Sequence, residues 1–82
     1  EAFRKVLELN PALVPARLNL ARVELAARRP VAALETLLVA VKQAPENAEV
    51  WLLVGEAQHM RGSPQRAAGS YRQALQLDPN LA

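Results

Sequence analysis

Apolar and small residues recur along the chain at helical spacing, and the pattern repeats itself 34 residues on. Leu18 is followed by Leu52, Ala33 by Ala67 and Ala40 by Ala74. The prolines keep the same phase: Pro11, Pro45 and Pro79 stand 34 apart, and so do Pro30 and Pro64. Proline fixes φ and lacks an N–H, so it opens or ends helices. These five therefore mark recurring helix boundaries. Arg4, Leu7, Leu9 and Pro11 return 68 residues later as Arg72, Leu75, Leu77 and Pro79, which is two periods. A fixed period of this size is the mark of a solenoid. The spacing predicts one domain over 1–82: the tail of one unit (1–13), a full unit (14–47) and a second full unit (48–81).

Each full unit reads as two helices. The first is predicted over 15–27 and 31–44, with Arg28-Arg29 as the turn and Pro15 in the first helical turn. The second is predicted over 48–61 and 64–77. Asn47 is placed to cap the former, and Gly62 to end it in the left-handed backbone that glycine tolerates. Ser63-Pro64 is an N-cap followed by a first-turn proline. Asp78-Pro79-Asn80 is the exit turn, and residues 1–10 read as the remnant of an earlier helix. Small residues at Ala21, Ala33 and Ala40, matched by Gly55, Ala67 and Ala74, let helix backbones approach closely. Leu20 and Leu37 in one unit, and Trp51, Val54 and Tyr71 in the other, are expected to fill the remaining space.

The second unit reads Trp51-x-x-Val54-Gly55-x-x-Gln58, then Ala67-x-x-x-Tyr71, then Pro79. This resembles the tetratricopeptide signature W-x₂-L-G-x₂-Y…A-x₃-F…P. The departures are Val54 for Leu, Gln58 for Tyr and Tyr71 for Phe. In the first unit Arg17, Ala21 and Glu24 replace the Trp, Gly and Tyr. The resemblance spans the whole chain. It implies an all-α fold, a right-handed superhelical solenoid of antiparallel helix pairs. Arg17 either lays its stem on apolar surface with its head in water or pairs with an acid of residues 1–13; the sequence leaves both open.

Composition removes several kinds of chemistry. There is no cysteine, so disulfides and thiolate metal sites are excluded. The formal net charge of +2 is too small to call for nucleic acid or a membrane surface. No apolar run approaches the roughly 18 residues of a bilayer span. The chain begins at Glu1 within a helical pattern, so it is expected to be cut from a longer protein, and it carries no signal of its compartment. His59 is the only histidine. Ser63 and Ser70 have no histidine base at a suggestive spacing, and Ser70 reads as a helix-face residue. Gly55, Gly62 and Gly69 fall on helices and a turn and make no phosphate loop. Glu24, Glu35, Glu46, Glu49 and Glu56 are dispersed. The expectation is a non-catalytic chain without metal or cofactor.

Stacked helix pairs present an extended concave surface, and in proteins this chain resembles the first helix of each pair lines it. That implies a partner-binding face of Leu18, Asn19, Arg22 and Leu25 with Glu49, Leu52, Glu56, His59 and Met60. Ala26 and Leu53 share its phase. Apolar anchors with Glu56 partnering Arg22 suit a peptide or an amphipathic helix of a protein partner. Some relatives hold a peptide's terminal carboxylate with Lys, Arg and Asn side chains on this helix. Only Asn19 matches here, and Leu18, Leu52 and Glu56 stand at the other positions, so no such clamp is expected. The arginines raise RNA as a rival partner, but Leu18, Leu52 and Glu56 fall where base-reading polar groups would be needed. Homo-oligomers through uncovered repeat faces are a third expectation, because about three repeats are needed for independent stability.

Overall fold

The computed structural model describes residues 14–81, and among them every regular element is helical. Helix α1 spans Val14–Ala26, α2 Pro30–Gln43, α3 Ala48–Met60 and α4 Pro64–Leu77, followed by a 3-10 turn at Pro79–Leu81. Each helix falls within a residue of its expected bounds. The helix expected over residues 1–10 lies outside the described residues.

Local chemistry sets the helix ends. Pro30 and Pro64 open α2 and α4, where no N–H is required. Asn47 caps α3, its side-chain oxygen accepting from the Glu49 N–H at 2.9 Å. Ser63 holds the N-cap position of α4, but its hydroxyl makes no capping bond; its carbonyl accepts from the Ala67 N–H at 3.0 Å. α1 and α3 end alike. The N–H of Arg29 donates to the Glu24 carbonyl and that of Arg28 to the Leu25 carbonyl, as Ser63 and Gly62 do to Gln58 and His59. This double closure needs a left-handed residue. Gly62 supplies it at φ 80°, and Arg28 at φ 63°. Glycine adopts it freely, whereas Arg28 does so against crowding of its Cβ.

Three-residue turns fold α2 onto α1 and α4 onto α3, while α3 also packs on α2 and, over a shorter stretch, on α1. One cluster gathers Val14, Leu18, Ala21 and Leu25 with Ala33, Leu37 and Ala40 and with Val50, Leu53, Val54 and Ala57. Leu37 and Val50 are its largest wholly buried side chains; removing such a side chain from water contributes about 1.5–3 kcal/mol. The alanines at 21, 33, 40 and 57 are sealed, which is how the helices come close enough to bury them. Gly55 has a specific reason to lack a side chain: a Cβ there would lie 2.6 Å from Cε1 of Tyr71.

Two side-chain bonds recur with the period. The Thr36 hydroxyl donates to Glu24 Oε1 at 2.8 Å, joining α2 to α1. The Ser70 hydroxyl donates to Gln58 Oε1 at 2.6 Å, joining α4 to α3. Positions 24 and 58, and 36 and 70, are each 34 apart. Ser70, read as a helix-face residue, lies on the buried face of its helix and is bonded there.

One further expectation is corrected, and a choice left open for Arg17 is narrowed. Leu20 does not fill the core: it is 50% exposed, against 4% for its counterpart Val54. α3 has helices on both flanks, whereas the main packing of α1 among the described residues is on α2 and α3. Arg17 does not keep its head in water, because its Nε and Nη2 are buried without a hydrogen-bond partner among the described residues. An acid of residues 1–13 lies outside those residues. At the matching position Trp51 donates from Nε1 to the Pro45 carbonyl at 2.9 Å, pinning α3 to the turn before it. No described helix is long and apolar enough to cross a membrane.

Candidate functional site

The expected partner face divides into residues that hold the fold and residues that meet solvent. Leu18 and Leu25 belong to the first kind, at 3% and 5% exposure. They cluster with side chains of α2 and α3, so they bind helices together and offer no contact surface. This corrects their assignment to a partner. The physical reason is that a solenoid helix flanked by neighbours needs an apolar stripe wider than one face. Positions 18 and 25 fall inside that widened stripe.

The other residues reach the surface. Asn19 and Arg22 of α1 and Glu56, His59 and Met60 of α3 are exposed, while Glu49 and Leu52 are half-buried. Arg22 forms an ion pair with Glu49 through Nη2, and its Nη1 donates to Asn19 Oδ1 at 3.1 Å. The sequence pairs Arg22 with Glu56; the structure pairs it with Glu49, because the first turn of α3 lies beside the middle of α1. Glu49 there also meets the positive end of the α3 dipole. Both partners are a little under half exposed, so the pair contributes at most about 1 kcal/mol and weakens with salt.

Glu56 acts elsewhere. Its charge helps to hold the Tyr71 phenol above its usual pKa of 10.0, second to burial of the ring. Leu52 lines a hollow of about 570 Å³ with Glu46, Glu49, Leu77 and Asp78. His59 and Met60 line another of about 390 Å³ with Arg28 and Pro30 of the α1–α2 turn. The expected residues are thus brought together in two groups. Asn19, Arg22 and Glu49 form a bonded set, and His59 and Met60 sit against the neighbouring turn. Among the described residues, no three of His, Asp or Glu converge as metal ligands.

The paired bonds Glu24–Thr36 and Gln58–Ser70 escaped the reading of the sequence. Their signal was present: an acceptor side chain and a hydroxyl, twelve residues apart, repeated one period on. They occupy the place where the signature carries a tyrosine, and they replace an aromatic contact between the paired helices with a hydrogen bond.

No curated protein gives a significant match to the chain. The family model described as tetratricopeptide repeat matches residues 1–48 and, in an overlapping placement, residues 18–82. With its helical hairpins and their 34-residue period, the chain belongs to the tetratricopeptide repeat family, whose repeats are generally non-catalytic scaffolds that usually mediate protein interactions.

Proposed function

We propose that this chain is a non-catalytic scaffold that receives a peptide or helix of a protein partner on the surface shared by α1 and α3. The contact residues in this reading are Asn19, Arg22, Glu49, Leu52, Glu56, His59 and Met60. The observation that carries it is the Arg22–Glu49 ion pair with its Asn19 bond, which lays polar groups of two helices side by side next to half-buried Leu52. Cation, anion, amide and apolar side chain together suit a ligand that is itself mixed, such as an amphipathic helix. A uniformly charged ligand would meet a surface that has already neutralised its own arginine.

The test is peptide-library binding to the parent chain beside Arg22→Glu and Glu56→Arg variants, with circular dichroism to establish that all are folded. Peptides retained by the parent and lost by either variant support the reading. Equal retention by all three moves the site off this surface.

A further inference from the structure

The turns between helices sort charge onto two opposite edges of the molecule. The α1–α2 and α3–α4 turns with the residues beside them, 26–32 and 59–66, carry Arg28, Arg29, His59, Arg61 and Arg66 and no acid. The α2–α3 turn and the exit from α4, 44–49 and 77–81, carry Glu46, Glu49 and Asp78 and no lysine or arginine. Stacking of the two hairpins brings like turns together. Arg28 and Pro30 of the first turn share a hollow with His59 and Met60 beside the second, and Glu46 and Glu49 share one with Asp78. Units of a solenoid stack flank to flank, so these turns stay on its edges whatever lies on either flank.

The basic edge is not neutralised from within. Arg28, Arg29, Arg61 and Arg66 are exposed, and none has an ion pair or side-chain hydrogen bond among the described residues. Arg22 differs, since it is engaged by Glu49 and Asn19. The acids closest along the chain, Glu24, Glu35 and Glu56, stand within helices, and Glu24 already accepts from Thr36. The net charge of +2 averages over both edges. A helix of 13 residues separates them, which is about 20 Å. Charges in physiological salt are screened over about 8 Å. A partner at this edge therefore meets the arginines and not the average.

We infer that this edge is a second docking surface, apart from the α1–α3 face, and that it receives a short acidic segment of a protein partner. Carboxylates of the segment pair with Arg28, Arg29 and Arg61, whose planar forks match carboxylate geometry. One apolar side chain between those carboxylates enters the hollow against Pro30 and Met60. At about 390 Å³ the hollow stands at the low end of the roughly 300–1,000 Å³ of ligand pockets, so it takes a side chain and not a helix. Met60, flexible and polarisable, adapts to the shape of what enters. A nucleic acid is the poorer occupant. Its bases need aromatic faces to stack on, and among the described residues Trp51 and Tyr71 are half-buried, with Trp51 bonded to Pro45 at the opposite edge.

The experiment is fluorescence anisotropy of a labelled Glu-rich peptide with one central Leu, titrated with the full chain at low salt. The parent is expected to bind it, and added salt to weaken the complex. The Arg28→Glu/Arg61→Glu variant weakens binding by about tenfold or more, and replacing the central Leu of the peptide by Ser weakens it several-fold. Arg22→Glu, which probes the α1–α3 face, leaves it unchanged. Circular dichroism verifies folding. Should the double reversal unfold the chain, Arg29→Gln/Arg61→Gln is expected to weaken binding in the same direction. A parent that does not bind the peptide overturns the proposal. So does a loss in Arg22→Glu equal to that in the double variant, which assigns the peptide to the other face. Tighter binding of a single-stranded oligonucleotide of equal charge overturns it as well.

Discussion

α1 and α3 are the same helix one period apart, and their surroundings differ. Val50, Leu53, Val54 and Ala57 of α3 are buried, while Ala16, Asn19, Leu20 and Val23 of α1 are exposed. Val23 is 64% exposed, and its counterpart Ala57 is sealed. The residue types do not order this outcome, since valine and leucine stand on the exposed side. Among the described residues, α3 packs on helices before and after it and α1 only on helices after it, and the burial follows that difference. In a solenoid, burial belongs to the neighbour as much as to the residue, because each unit contacts only those beside it. The positions around α1 and α3 follow the same logic in their small adjustments. Ala21 goes with Leu37 where Gly55 goes with Tyr71, and Arg28 bends the chain where Gly62 does.

The largest test of this comparison transplants a residue from one helix to the other. Leu53→Asn installs on α3 what α1 carries at position 19. It forfeits apolar burial and strands an amide in the core, at about 3 kcal/mol or more. The reverse change, Asn19→Leu, falls on an exposed site and shifts stability by no more than about 0.5 kcal/mol. Urea unfolding of both measures the asymmetry. Equal effects would mean that the flanks of α1 and α3 are covered alike.

Gly55→Ala comes next. The added methyl meets the Tyr71 ring, and overpacking outweighs the gain in helix propensity, for a net loss of about 1–2 kcal/mol. Combining it with Tyr71→Leu, the residue type at position 37, recovers part of that loss. A double-mutant cycle reads the coupling, expected to exceed about 0.5 kcal/mol. Additive effects would separate glycine and ring.

The two helix ends provide a smaller contrast. Gly62→Ala forces a Cβ into the left-handed backbone and costs about 1 kcal/mol, whereas Arg28→Gly relieves the same strain and gains up to about 1 kcal/mol. Thermal melts of both variants check the opposite signs.

The smallest effect is in alkali. Tyr71 has its folded pKa raised above 10.0 by burial and then by Glu56. The unfolded chain releases this proton first as pH rises. The associated stability is therefore complete below that value and lost as pH climbs through the folded pKa. Tyr71→Phe should flatten the alkaline limb of the stability profile, and phenolate absorbance reports the titration directly because the chain has a single tyrosine.

Periodicity determined the helices, their turns and the family, because prolines, glycine and small residues act locally and repeat in phase. Pro30, Asn47, Gly62 and Pro64 each fixed an end without help from distant residues. The sequence also marked a face around Arg22, Glu49 and Glu56, since helical spacing alone puts residues on one side. Only the tertiary structure decided which of them are reachable. Leu18 and Leu25 went into the core, Leu20 came out of it, and Arg22 chose Glu49. Those outcomes depend on which helix lies against which flank, and a single helix's pattern does not contain that information. The bonds from Thr36 to Glu24 and from Ser70 to Gln58 needed it too. They exist because residues twelve apart in sequence, on two paired helices, were brought within hydrogen-bond distance.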